Sequence, residues 1–183
     1  MTQSSHPAAL YQLRKVTRII ALAILGLVFL GFFLPSDYRI ERSVKVNAPL
    51  DLVSQNIFNG DYLPEWMFIQ KGRLNVFSGE LSVGQSVAIS YDESDAQGQL
   101  TLTGLSNSNI RFDVQPKEGV NIVTNNISLS SVGDEVLVTW AIQGQLDAGL
   151  LGPYLAFFAN DIAGKNFEIS LDRLKAQMEQ LDR

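Results

Sequence analysis

The chain of 183 residues has no cysteine and only one histidine, His6. Without cysteine there is no disulfide, no thiol nucleophile and no cysteine-ligated metal site. Without a histidine after residue 6, Ser-His-Asp and Cys-His catalysis and the common zinc ligand sets are excluded from the rest of the chain. Any reaction would have to rest on carboxylates, tyrosines, lysines or a bound cofactor. No pattern indicates a cofactor, a metal site or a catalytic residue, and we expect none.

Charged residues are also missing from residues 19–34. Three cations precede this run, Arg14, Lys15 and Arg18, and Asp37 is the first acid after it. As a helix the run would be about 24 Å long at ~1.5 Å per residue, a little less than a hydrocarbon core of ~30 Å. We therefore interpret residues 1–18 as a cytoplasmic tail and residues 19–35 as a transmembrane anchor.

A cleaved secretory signal is the main alternative, because it also begins with a basic flank and an apolar stretch. The end of the run, Phe32, Phe33 and Leu34, offers no small-residue cleavage site. A buried helix of a soluble protein fits poorly, since the run is apolar on every face. The cations before the run place the N-terminus in the cytoplasm by the positive-inside rule. We expect a single-pass protein of a bacterial inner membrane with its domain outside the cytoplasm.

Residues 36–183 are enough for one domain with a sizeable core. They carry eleven basic and nineteen acidic residues, a formal charge of −8. That charge argues against nucleic acid as a partner, because phosphate backbones need a basic footprint. It also argues against peripheral docking on anionic lipid. No pattern indicates a protein partner or an oligomeric state.

Alternating apolar and polar residues predict a strand from Tyr38 to Val46. Two short helices are expected at residues 49–58 and 61–66. Six further strands are predicted at residues 73–78, 86–91, 98–105, 109–115, 121–130 and 134–143. The short polar connections between them indicate an antiparallel meander.

Apolar residues recur at helical spacing in residues 150–181, which predicts a long C-terminal helix. An antiparallel sheet with one apolar face needs a cover, and this helix is the only long element available. We expect a strongly curved sheet wrapped around the helix, with a pocket between them unless large side chains fill it.

Several short motifs resemble one known family in their order and position. They are YRIERSVKVNAP at residues 38–49, Val53, PEW at 64–66, VTW at 138–140, GKNFE at 164–168, Leu171, Arg173, Leu174 and Lys175. The chain resembles the polyketide cyclase/dehydrase-like group of the START-like (SRPBCC) superfamily. The resemblance implies an α+β helix-grip fold, in which a seven-stranded antiparallel sheet wraps around the C-terminal helix and encloses a hydrophobic cavity. It implies no particular reaction.

The sequence departs from the family where the cavity entrance would be. Met67, Phe68 and Ile69 follow the tryptophan in place of a small residue and a second proline and tryptophan. The glycine-rich hairpin is present only loosely, at residues 79–84. No particular ligand is therefore carried over from the family.

Aromatic and apolar residues near the expected cavity are candidates for its lining. They are Tyr62, Trp66, Phe112, Trp140, Tyr154, Phe158 and Ile162. For Tyr62 and Trp66 the alternative is a plug at the end of the core, since aromatic rings dominate cores. For Tyr154 and Phe158 it is ordinary packing of helix on sheet, which uses the same residue types.

The charged clusters are explained more simply as solvent-exposed surface groups than as binding or catalytic sites. Asp92, Glu93 and Asp95 lack the glycine and terminal glutamate of a calcium loop, so we expect a solvated hairpin tip. Arg111 and Asp113 share one face of a strand, which we expect to meet water rather than the cavity.

Together these features predict a membrane-anchored extracytoplasmic domain that binds a hydrophobic or amphipathic small molecule, with lipid among the candidates, and catalyses no reaction. One alternative is a cyclase- or hydrolase-like enzyme that uses carboxylates or tyrosines. Another is a protein-interaction module with a filled cavity. A third is a domain that sequesters a toxic compound. Because the linker after the anchor is short, the cavity should lie near the outer membrane face, which favours a ligand drawn from the bilayer.

Overall fold

The computed structural model describes residues 6–34, 36–145 and 149–183, without the side chains of residues 6–9, 150, 153 and 157–163. The first helix, α1, is His6–Gly31. It contains most of the uncharged run, whose last residues form a turn. Across the described ranges no helix is both long and apolar enough to cross a membrane. The transmembrane helix expected for residues 19–35 is therefore not shown.

Seven antiparallel strands form one curled sheet, as predicted. They are β1 (Asp37–Val46), β2 (Gly72–Leu74), β3 (Ser86–Tyr91), β4 (Ser94–Leu105), β5 (Asn109–Gln115), β6 (Val123–Val132) and β7 (Glu135–Gln145). Their spatial order is β1-β7-β6-β5-β4-β3-β2, so the first strand pairs with the last and the others form a meander. Two short helices, α2 (Leu50–Asn56) and α3 (Leu63–Trp66), connect β1 to β2. A 3-10 turn at Gly149–Leu151 leads into the last helix, α4 (Gly152–Leu181).

Two predicted boundaries differ from the structure by more than two residues. The strand expected at residues 73–78 is only three residues long, because the chain leaves β3 and the Gly60 N–H donates to the Gly79 carbonyl instead, at 2.7 Å. The strand expected to begin at residue 98 begins at Ser94. A bulge at Ser90 and Tyr91 changes the register there and reduces the hairpin turn to two residues.

The sheet wraps around α4, which packs against it through Leu171, Leu174 and Met178. These three side chains are buried, in agreement with the predicted helical spacing. Arg42 Nε lies 2.8 Å from Glu168 Oε1 and joins β1 to α4. The C-terminal part of α4 lies at the end of the sheet where β1 ends, since the Asn47 N–H donates to Glu179 Oε1 at 2.9 Å.

At the other end of the sheet, β1 and β6 begin and β3, β5 and β7 end. We call this the α1 end, because β1 follows α1 there. The Tyr154 hydroxyl, in the first turn of α4, donates to the Leu27 carbonyl of α1. Gln145 Nε2 donates to Ser36 Oγ at 3.3 Å. The last turns of α1, the end of β7 and the start of α4 therefore lie together.

Candidate ligand-binding cavity

A cavity of about 250 Å³ lies between the sheet and α4, toward the α1 end. Its described apolar lining is Met67, Phe68, Ile69, Ile89, Phe112, Val114, Pro116, Val123, Trp140, Ile142 and Phe167. Its described polar lining is Tyr38, Gln70, Tyr91, Asn125 and Asn166. No carboxylate and no basic side chain belongs to this described lining. The described walls of the cavity are thus apolar, with a few uncharged polar groups.

An aromatic cluster forms the inner end of the cavity. Phe58 packs on Phe112 with ring centroids 5.0 Å apart, and Trp66 meets Trp140 at 5.8 Å. Phe167 of α4 contacts Trp140 edge-on at 4.4 Å, which ties the helix to β7. Such tilted and edge-on pairs are the favoured aromatic geometries. Among the described residues, these rings fill the space beyond the inner end of the cavity.

The only strongly buried polar group of this lining is Asn125, which is 2% exposed. Its Oδ1 accepts the Trp140 indole N–H at 3.0 Å, and its Nδ2 donates to the Val123 carbonyl at 2.8 Å. A buried polar group without partners costs free energy, and these two bonds remove that cost. They also fix the ring of Trp140 against the cavity.

Two tyrosines stand at the rim, each at the α1 end of its strand. The Tyr91 hydroxyl donates to the Pro116 carbonyl at 2.6 Å and so joins β3 to the loop after β5. Burial raises the pKa of Tyr91 and of Tyr38 above the usual 10.0, because the phenolate would lose solvation. Both hydroxyls are therefore neutral hydrogen-bonding groups near pH 7.

Outside Tyr91 lies a second, more polar hollow of about 410 Å³. It shares Gln70, Tyr91 and Pro116 with the cavity, and its own lining includes Lys71, Glu93 and Lys117. Lys71 Nζ and Glu93 Oε2 are 2.9 Å apart, with both side chains mostly exposed. The apolar cavity and this solvated, charged hollow are therefore adjacent, with Tyr91 at their shared boundary.

The candidate residues from the sequence occupy several environments. Phe112 and Trp140 line the cavity. Trp66 is fully buried beyond the cavity and donates its indole N–H to the Ile57 carbonyl at 2.9 Å. Tyr62, directly before α3, packs against the core. Tyr154 contacts α1. The side chains of Phe158 and Ile162 lie outside the described part of the chain.

Fourteen of the sixteen described lining residues were not among the candidates, and Tyr38, Tyr91, Asn125 and Phe167 are four of them. Asn125 carried a detectable signal, because the period-2 pattern of β6 places it on the same face as the buried Ile127 and Leu129. A polar residue on an apolar face is the informative exception in a strand. Tyr38 and Tyr91 end or begin strands, and no sequence pattern shows that such ends meet.

The charged groups considered from the sequence lie away from the cavity wall. Asp92 and Glu93 form the hairpin turn and Asp95 follows in β4, all exposed. Arg111 is exposed on the outer face of β5, and Asp113 is half-buried. Among the residues that the structure describes, no group of acidic or histidine side chains is arranged to hold a metal ion.

No family profile and no curated protein sequence matches the chain. Solved structures do match. A protein from Chromobacterium violaceum superimposes with a TM-score of 0.60 at 16% identity, over 77% of this chain and 96% of that one. A point mutant of norcoclaurine synthase from Thalictrum flavum, in complex with a transition-state analogue, gives 0.59 at 11% identity, over 80% and 97%. The chain has a START-like fold.

A third match is a putative protein in the dynemicin biosynthetic locus, with a TM-score of 0.54 at 16% identity. The alignment covers 79% of this chain and 48% of that one. At such identities the likeness shows the fold alone. The helix-grip arrangement inferred from the short sequence motifs is thereby confirmed, including the curled seven-stranded sheet and the C-terminal helix.

Proposed function

We propose that the protein is a membrane-anchored domain that binds a hydrophobic or amphipathic small molecule between the sheet and α4 and catalyses no reaction. The observation that carries this proposal is the apolar cavity of about 250 Å³ walled by Phe112, Trp140 and Phe167. A concave apolar site with a few fixed polar groups is the usual form of a small-molecule site. The START-like fold supports the binding part of this proposal, because norcoclaurine synthase, which superimposes on the chain, was solved in complex with a transition-state analogue.

The size and polarity of the site describe the ligand. A volume of about 250 Å³ is slightly below the ~300–1,000 Å³ of common ligand pockets, which favours a small molecule or a single alkyl chain. The polar hollow outside Tyr91 suits a head group that stays solvated. An amphipathic ligand would therefore place its apolar part against Trp140 and its polar part near Lys71.

The absence of catalysis is supported by the chemistry of the described lining. An acid–base reaction needs a group whose pKa lies near the working pH. The described walls carry no carboxylate, and burial raises the pKa of both tyrosines further from pH 7. The Tyr91 hydroxyl is already committed to the Pro116 carbonyl. A cyclase- or hydrolase-like enzyme is therefore less well supported and is the second candidate. A protein-interaction module with a filled cavity fits poorly with the open volume of about 250 Å³.

Attachment to a membrane is supported by the surface of α1 and the turn after it. Large apolar side chains there are more than half exposed: Ile19, Ile20, Leu22, Ile24, Leu25, Leu27, Phe29, Leu30, Phe32 and Phe33. A continuous patch of this kind is rare on soluble monomers and marks a surface that another apolar phase covers. With Arg14, Lys15 and Arg18 on the cytoplasmic side, the domain would lie outside the cytoplasm.

The test is a titration of the full chain with a dibrominated fatty acid while tryptophan fluorescence is recorded. Bromine quenches at short range, so a chain in the cavity should quench Trp140. Val123→Phe fills the cavity, whereas the same change at Val132, on the exposed far end of β6, leaves it unchanged. We expect saturable quenching in wild type and Val132→Phe and at least tenfold weaker binding in Val123→Phe. Equal binding by the two variants would contradict the proposed site.

A further inference from the structure

A second uncharged segment, residues 148–160, lies between Asp147 and Asp161 in the sequence, and none of its described side chains lines the cavity. It includes the 3-10 turn and the first turns of α4. Within it Leu151 is 65% exposed and Leu155 is 41% exposed, although both are large and apolar. Both lie at the α1 end of the molecule, where the 3-10 turn and the first turn of α4 contact α1.

The contact with α1 fixes where this segment lies. The Tyr154 hydroxyl donates to the carbonyl of Leu27, which belongs to the uncharged run. Gln145 at the end of β7 is bonded to Ser36, just after that run. If residues 19–34 are within a bilayer, Tyr154 is at the depth of the last turns of α1. A hydroxyl at that depth needs a protein partner, and the Leu27 carbonyl supplies one.

We propose that residues 149–156 are a second membrane-inserted element, with Leu151 and Leu155 in the same leaflet as the C-terminal turns of α1. This inference rests on the membrane anchoring proposed above. Lipid covers the two exposed leucines in this arrangement, because the surface that they form is continuous with that of α1. Uncharged apolar segments lower their free energy when they leave water, by roughly 25 cal/mol per Å².

Acidic residues limit how far the α1 end enters the bilayer. Asp92 and Glu93 form the β3–β4 turn at the same end and are exposed. Charged carboxylates stay out of hydrocarbon, so the turn lies at or above the head groups. The domain is therefore tilted, with the start of α4 inserted and the rim at Tyr91 facing the membrane surface. An amphipathic molecule from the leaflet reaches this rim without crossing bulk water.

The absence of cysteine makes a direct test possible. Single variants Leu151→Cys, Leu155→Cys, Leu25→Cys and Val83→Cys of the full chain are labelled with a nitroxide and reconstituted into phosphatidylcholine vesicles. Leu25 is in the middle of the uncharged run, and Val83 is 57% exposed away from the α1 end. Electron paramagnetic resonance then compares collisions with oxygen, which concentrates in hydrocarbon, and with a water-soluble nickel chelate. Circular dichroism shows that each variant keeps the fold.

We expect labels at positions 25, 151 and 155 to collide at least fivefold more with oxygen relative to nickel than the label at position 83. A lipid-like signal at position 25 with water-like signals at 151 and 155 would overturn this inference and leave the anchor intact. A water-like signal at position 25 would overturn the anchor and the inference together. Spin–spin broadening at 151 with low access to both reagents would show a second copy of the chain in place of lipid and would also overturn it.

Discussion

Asn125 illustrates how one side chain shapes the candidate site. It stands on the buried face of β6, where its neighbours at i+2 and i+4 are Ile127 and Leu129. Its Oδ1 accepts the Trp140 indole N–H and its Nδ2 donates to the Val123 carbonyl. The residue therefore orients the indole ring that forms part of the cavity wall.

Gly98 is required for the close approach of β4 to the rim. A Cβ there would lie 2.4 Å from the Pro116 carbonyl oxygen and 2.8 Å from that of Gln115, both backbone atoms. We expect Gly98→Ala to lower the free energy of unfolding by about 1–3 kcal/mol, the usual cost of overpacking. Gly26→Ala, with nothing within 4 Å, is the control and should be neutral or stabilising by about 1 kcal/mol in a helix. Thermal unfolding measures both, and equal effects would contradict the predicted clash.

Tyr91 should make the fold sensitive to high pH. Burial raises its pKa above the unfolded value of 10.0, so the unfolded state loses the proton first. The contribution of Tyr91 to the free energy of unfolding is therefore fully present below pH 10.0. It is lost as the pH rises through the raised pKa of the folded state. Tyr91→Phe should flatten this fall, while Tyr11→Phe, at an exposed tyrosine of α1, should not. Denaturant unfolding between pH 8 and pH 12 measures the difference, and parallel profiles for the two variants would refute it.

Among the elements, α3 and β7 each contribute a tryptophan with a separate role. Trp66 of α3 donates to the Ile57 carbonyl beyond the cavity, and Trp140 of β7 donates to Asn125 in its wall. Each Trp→Phe change removes one buried hydrogen bond, so both should cost about 1–3 kcal/mol of stability. Only Trp140→Phe should alter the affinity for a dibrominated fatty acid, measured by equilibrium dialysis. An equal change of affinity in Trp66→Phe would assign α3 to the binding site.

The elements that the sequence predicts best are those with strong periodicity. The bounds of β3 and β5 agree with the predicted ranges, and α4 ends at the predicted residue. Those with least agreement are β2 and the start of β4, where tertiary contacts decide the outcome. The hydrogen bond from the Gly60 N–H to the Gly79 carbonyl holds the chain after Leu74 away from the sheet. The bulge at Tyr91 extends β4 toward its turn. Such contacts involve residues distant in sequence, so local patterns do not report them.

At the scale of the whole molecule, the START-like fold was predictable because short motifs along nearly the entire domain agreed with one arrangement. The position of the open volume was not. Phe112 and Trp140 were named from their types, whereas Tyr38 and Tyr91 belong to the rim only because β1 and β3 have termini at the same end of the sheet. The junction of α1 with the start of α4 likewise follows from a contact between Leu27 and Tyr154.

The charge of the molecule separates the roles of its surfaces. Residues 36–183 carry a formal charge of −8, whereas the cations before the uncharged run are three in number with no acid. An acidic domain is repelled by anionic lipid, so in the proposed arrangement apolar segments supply the attachment. This division agrees with the proposed arrangement, in which α1 and the start of α4 contact lipid and the remaining surface meets water.

The proposed function requires that the cavity holds an apolar or amphipathic molecule. The most direct measurement is native mass spectrometry of the full chain, released from detergent, with extraction and identification of any bound compound. We predict that wild type and Val132→Phe retain a hydrophobic or amphipathic molecule and that Val123→Phe, which fills the cavity, does not. A wild-type chain that carries no such molecule, even after incubation with lipid, would contradict the proposed ligand-binding function.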